Sequence, residues 1–141
     1  MINQNEKNTA VALHLSALAK FLIPFAGIII PMIIWQNKKQ ESEYIDQNGK
    51  SVLNFNLSVL LYGIIIGIIG AIFFIDAIVE VVKMSATDID FIPVNLITIA
   101  IVLSIIAAFW CIIEFILIII GSLKAGNGEV FHYPLSIPFL K

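Results

Sequence analysis

The chain has 141 residues, enough for one domain, of which 60% are apolar and 13% charged; soluble domains run to about 45–50% and about 25%. A mean hydropathy of +1.00 makes lipid the natural solvent and excludes an ordinary soluble domain. The net charge of −2 and the complete absence of arginine exclude a basic nucleic-acid face and the bidentate guanidinium clamp on phosphates or carboxylates.

The opening MINQNEKNTA is polar without being clearly basic, and no small-residue cleavage site follows the first apolar run. A removable signal peptide is therefore not predicted. No cysteine lies near this end, which argues against a lipoprotein anchor. The single cysteine, Cys111, sits in an apolar run, so an intramolecular disulfide is excluded and the redox compartment is left open.

Residues 11–35, VALHLSALAKFLIPFAGIIIPMIIW, form the first apolar region. As one helix it would span a bilayer with some tilt. Lys20 near its middle, Pro24 followed by Gly27, and Pro31 all oppose that, because proline removes a backbone donor and clashes with the preceding turn. The alternative is a short helical hairpin with arms over 9–23 and 27–38 and a turn at Pro24–Gly27. Such arms are short for a full crossing, so the hairpin would be tilted or re-entrant. Lysine placement favours it. A single span puts Lys7 with Lys83, opposite Lys38, Lys39, Lys50, Lys124 and Lys141. The hairpin leaves only Lys83 apart, which sharpens the positive-inside bias. Both arrangements place the C-terminus in the cytoplasm.

A polar loop, NKKQESEYIDQNGKS, follows, with Asp46 as the expected N-cap of a helix starting near Gln47. That helix dives into the stretch around which the chain is organised, residues 52–82. Between Val59 and Ile75 it carries no charge, and it exceeds the roughly 20 apolar residues needed to cross. Gly63, Gly67, Gly70 and Ala71 form a seam of small residues. Counting by sevens from Asn56 reaches Gly63, Gly70 and Ala77, so one face is nearly bare backbone with a polar end. Asp76 and Glu80 mark the far exit. An outer loop over 83–95, containing Asp88, Asp90 and Pro93, leads to a last helix over 94–120. Ala100, Ser104, Ala107, Ala108, Cys111 and Glu114 lie on one stripe of it. The two small-residue stripes are expected to pack together, through close backbone approach rather than hydrophobic force. A homodimer face is the alternative use of the GIIIG run.

The tail, 121–141, turns at Gly126–Gly128 and then alternates. Phe131, Tyr133, Leu135, Ile137 and Phe139 share one side, and His132, Pro134, Ser136 and Pro138 the other. The reading is an extended, polyproline-like segment along the cytoplasmic face, apolar side inward.

Three stretches, HLSALAKFLIPFAGIIIPMIIWQNKK, DQNGKSVLNFNLS and GEVFHYPLSIPFLK, resemble a family of small bacterial membrane proteins described as a domain of unknown function. That family is itself similar to the import component of the chloroplast inner-envelope translocon, and so is Tic-twenty-like. The resemblance covers almost the whole chain outside 83–95. It implies a four-helix membrane bundle, which favours the hairpin. No enzymatic motif travels with it, and it does not imply that this chain translocates proteins.

Among residues able to carry chemistry, Glu114 is the sharpest. An ionisable group at the centre of a span costs about 2.5–3.5 kcal/mol on insertion scales and faces a cavity or a partner. A proton or cation relay is one reading; a protonated or hydrogen-bonded structural carboxyl is the blander and favoured one. Lys20 either pairs with Glu114 or snorkels to the interface. With Asn56 and His14 they make a candidate intramembrane polar patch. His14 lacks metal-ligand partners at helical spacing, and His132 is the only other histidine, so no metal site is expected. The glycines form no phosphate-binding loop, and Ser16, Ser58 and Ser104 have no base placed by spacing.

The expectation is an all-α membrane protein: a short, possibly re-entrant hairpin, two long transmembrane helices and an extended tail, in the bacterial inner membrane with its C-terminus in the cytoplasm. The leading function is a non-enzymatic subunit or scaffold, with no catalytic residues and no cofactor. It would bind lipid and another membrane protein, with homo-oligomers open and nucleic acid excluded. A small channel or carrier around Glu114 is the alternative.

Overall fold

The computed structural model describes residues 2–85 and 94–141. Most of the expected outer loop, with Asp88, Asp90 and Pro93, lies outside them, as do the side chains of Asp76 and Glu80.

Helix α1, Gln4–Ser16, starts on a reciprocal cap. The Glu6 N–H donates to Asn3 Oδ1 at 2.9 Å, and the Asn3 N–H donates to Glu6 Oε2 at 2.6 Å, so two orphan donors of the first turn are satisfied together. The chain tightens into a 3-10 turn over Ala17–Phe21 and reverses through 22–25, where Phe25 adopts a left-handed φ of 65°. Helix α2, Ala26–Lys38, then returns alongside α1. Gly27 is required at this reversal: a Cβ there would lie 2.7 Å from both Ala17 O and Lys20 Cβ. Pro31 is accommodated inside α2, although it removes the backbone donor that would otherwise serve the Gly27 carbonyl. The first arm, expected to run to residue 23, ends its helical part at Phe21.

Helix α3, Glu43–Ser85, has 43 residues, and α4, Val94–Gly126, has 33. Each contains a 30-residue stretch long and apolar enough to cross a membrane, Glu43–Ile72 and Ile97–Gly126. Helix α3 begins before the expected cap. Ser42 Oγ accepts from the Tyr44 N–H at 3.2 Å. Asp46 is already inside the first turns, accepting from Trp35 Nε1 at 2.8 Å and pairing with Lys50 Nζ at 2.5 Å. Helix α4 continues beyond residue 120 because its last turns bury Gly121, Ser122 and Ala125.

The described residues are all helix, turn or irregular chain, with no strand among them. They form two compact units. One is Met1–Leu61 with Ile113–Lys141; the other is Tyr62–Ile112. The first has a core of Leu13, Ala17, Trp35, Ile45, Val52, Leu53, Phe55, Ile118 and Tyr133. A smaller cluster joins Ala10, Tyr44 and Ala125. In the second unit every described side chain from residue 63 to 109 is exposed, and almost all of them are apolar. In water such a surface would aggregate; hydrocarbon is the solvent that suits it.

Candidate functional site

The polar chemistry of the first unit collects in two places. The first is built by the 3-10 turn, α3 and α4. Lys20 Nζ lies 2.5 Å from Glu114 Oε2 and donates to Asn56 Oδ1 at 3.1 Å. The Asn56 amide is fixed from behind, donating through Nδ2 to the Val52 carbonyl at 2.9 Å. Glu114 is only 5% exposed and Asn56 only 3%. The ammonium also stands 5.4 Å from the centroid of the Phe55 ring and 5.7 Å from that of Phe21, within cation–π reach. One positive and one negative charge cancel there. The ammonium is thus hydrogen-bonded to both the Glu114 carboxylate and the Asn56 amide oxygen, opposite charges facing each other.

The second place ties four distant segments together. His14, fully buried on α1, meets Tyr133 Oη at 2.7 Å through Nδ1 and Asn48 Oδ1 at 3.0 Å through Nε2. Asn48 Nδ2 donates to the Tyr44 carbonyl at 2.9 Å, so its Oδ1 faces the histidine as an acceptor. Nε2 must then carry the proton, and Nδ1 accepts from the Tyr133 hydroxyl. The imidazole is therefore neutral, one nitrogen donating and the other accepting. Burial raises the Tyr133 phenol above its ordinary value. The Tyr44 hydroxyl in turn donates to the Ala125 carbonyl on α4. Gly121 makes the arrangement possible, because a Cβ there would sit 2.7 Å from His14 Nδ1 and 2.8 Å from Tyr133 Oη.

The tail is held by a polar stripe of α3. Ser51 Oγ donates to the Phe131 carbonyl. Asn54 makes a two-point clamp on Leu140, donating to its carbonyl at 3.0 Å and accepting from its N–H at 2.8 Å. Ser58 Oγ accepts from the Ile137 N–H at 2.7 Å and donates to the Asn54 carbonyl, also at 2.7 Å. Tyr133 stacks on Phe55 with centroids 4.2 Å apart. The expected alternation fails beyond Tyr133. Leu135, with φ of 59°, is 69% exposed, and Phe139 is 47% exposed, because the chain turns there instead of running straight.

Of the residues singled out from sequence, the structure brings Lys20, Glu114 and Asn56 together and places His14 in a separate network with Asn48 and Tyr133. It does not bring the small-residue stripes together. A Cβ built on Gly63, Gly67 or Gly70 meets nothing within 4 Å, and Ala71, Ser104, Ala107, Ala108 and Cys111 are all exposed. Hydrocarbon supplies no hydrophobic force to close such helices, so small residues alone do not dictate contact. Sequence reasoning missed Asn48, Tyr44 and Gly121, and gave Tyr133 its inward side without its partner His14. The available signal was the spacing of Asn48, Ser51, Asn54 and Ser58, three or four apart on one face of an otherwise apolar helix.

No group of three or more His, Cys, Asp or Glu side chains able to hold a metal occurs among the described residues. No curated protein and no solved structure matches the chain. A family model does, over residues 5–140, and it is that of the magnetosome magnetite crystal formation proteins, MamF/MmsF. This overturns the translocon resemblance drawn from the three stretches, which fall inside the match except for the final Lys141. The two apolar helices agree with a membrane location. The chain is a small bacterial membrane protein that belongs to the magnetosome magnetite crystal formation family.

Proposed function

We propose that the chain is a non-enzymatic membrane subunit that serves magnetite crystal formation as a scaffold, by binding other membrane proteins. The observation that carries this reading is how the polar groups of the first unit are used. Lys20 is taken by Glu114 and Asn56, and His14 by Tyr133 and Asn48. Among the described residues no buried side-chain nitrogen or oxygen lacks a hydrogen-bond partner. A general acid or base works from a group free to exchange a proton with substrate; here those groups are engaged in holding segments together. The apolar surface of the second unit supplies area for lipid and for neighbouring membrane helices.

The same reading includes the threading. Lys7 lies beside Gly128 at the start of the tail, and Tyr44 joins Ala10 to Ala125. Lys7, Lys38, Lys39, Lys50 and Lys124 then share one end, which the positive-inside rule assigns to the cytoplasm together with the C-terminus. A cysteine at position 7, with Cys111 replaced, should resist an impermeant label in intact cells; labelling there would reverse the orientation.

A carrier built on Glu114 is the competing reading, and two experiments part them. Crosslinking in native membranes should trap the chain with a larger membrane protein, and recovery of monomer alone would sink the scaffold. The paired variant Lys20→Met with Glu114→Gln removes both charges while keeping the shape. Crystals formed by cells carrying it should match those of the parent strain under the scaffold reading. Crystals as altered as in cells lacking the chain, with the variant present at normal level, would favour transport.

A further inference from the structure

Between the first turns of α3 and the docked tail is a cleft of about 310 Å³, at the small end of ligand sites, which run from about 300 to 1,000 Å³. Gln47, Lys50, Ser51 and Asn54 line it from the helix, and His132 and Ser136 from the tail. Each of these polar side chains can donate a hydrogen bond and no carboxylate is among the lining residues. Ser51 and Asn54 are spent on the backbone of the tail, and Gln47 Nε2 donates to Glu43 Oε1 at 3.0 Å. The groups left to meet a ligand are the Lys50 ammonium, the second Gln47 N–H, the His132 ring and the Ser136 hydroxyl. Lys50 is held in place by Asp46 at 2.5 Å, and that contact uses one of its three N–H donors.

Depth identifies the ligand class. Lys50 is the last charged residue before an uncharged run that continues to Ile75. Trp35 and Tyr44, the residue types that collect at membrane–water interfaces, pack beside the same turns. The cleft therefore opens where phospholipid phosphates lie. Val130, Pro138 and Leu140 complete its wall, and Phe139 stands exposed next to it, so a polar floor adjoins an apolar edge. A lysine ammonium with hydroxyl and imidazole donors suits a phosphate oxyanion as a point charge with flanking hydrogen bonds, without the arginine fork this chain lacks.

We propose that this cleft binds a phosphate group, supplied by the headgroup of an anionic phospholipid, and thereby fastens the tail to the membrane surface. The test uses the full chain in neutral detergent, titrated with short-chain phosphatidylglycerol and read by native mass spectrometry. One lipid should be retained. Lys50→Gln should weaken retention about tenfold or more, the loss of one charge-assisted hydrogen bond, and Lys50→Arg should keep it. His132→Gln with Ser136→Ala, both changes at the surface of the tail, should also weaken it. Circular dichroism would verify that each variant stays folded. Competition by millimolar inorganic phosphate would show that the phosphate alone is the recognised group. Retention against inorganic phosphate would assign the site to the lipid as a whole. Equal retention by the parent, Lys50→Gln and the His132/Ser136 variant would overturn the proposal.

Discussion

The two units share the helices α3 and α4 yet solve opposite problems. In Met1–Leu61 with Ile113–Lys141 a set of polar side chains is buried, and each buried side-chain nitrogen and oxygen described there has a hydrogen-bond partner. Their directionality specifies one arrangement, since a hydrogen bond is lost when its partners move by an ångström or so. In Tyr62–Ile112 the described side chains are exposed, apart from the half-buried Tyr62 and Trp110, and almost uniformly apolar. Its exposed apolar side chains make no directional demand, and that surface is suited to lipid or a neighbouring helix. Substitutions should therefore be punished in the first unit and tolerated in the second.

The sharpest way to break that contrast is at the ion pair. Removing one partner leaves an uncompensated charge, a loss of about 3–5 kcal/mol for a buried pair. Lys20→Met should therefore unfold the first unit at distinctly lower temperature in detergent, leaving Glu114 without its cation. The paired Lys20→Met, Glu114→Gln variant should recover most of the loss, because replacing both charges by neutral groups is often nearly cost-free. A paired variant as unstable as the single one would mean the site is held by packing rather than by charge.

How much of this could be read in advance follows the same division. Run length and the rarity of charge were enough to mark two spans, because lipid tolerates little else. Lys20 and Glu114 stood out because ionisable groups in apolar runs need an explanation. The His14–Tyr133 contact joins residues 119 apart in sequence, and no periodicity encodes such a pairing. Gly121 is silent for a related reason: its value lies in what a side chain would strike, and the neighbours come from α1 and the tail. The mistaken family has a physical cause as well. The longest stretch that suggested it is an apolar run ending in Asn37, Lys38 and Lys39, a pattern the bilayer demands of many small polytopic proteins whatever they do.

The glycines carry the comparison to its smallest effects. Gly121→Ala would push a methyl group to 2.7 Å from His14 Nδ1 and 2.8 Å from Tyr133 Oη, overpacking that costs about 1–3 kcal/mol. Gly63→Ala and Gly67→Ala place the same group in open space. Alanine is favoured over glycine within a helix by about 0.8–1.0 kcal/mol, so these two should leave stability unchanged or raise it slightly. The pair of results is read by thermal unfolding of the purified chain in the same detergent. A loss at Gly63 or Gly67 comparable to that at Gly121 would show that another helix covers this face, and the lipid-facing description of the second unit would fail. Gain or neutrality there, with loss at Gly121, would locate the specifying contacts where the polar side chains are, at the end of the molecule that holds the tail.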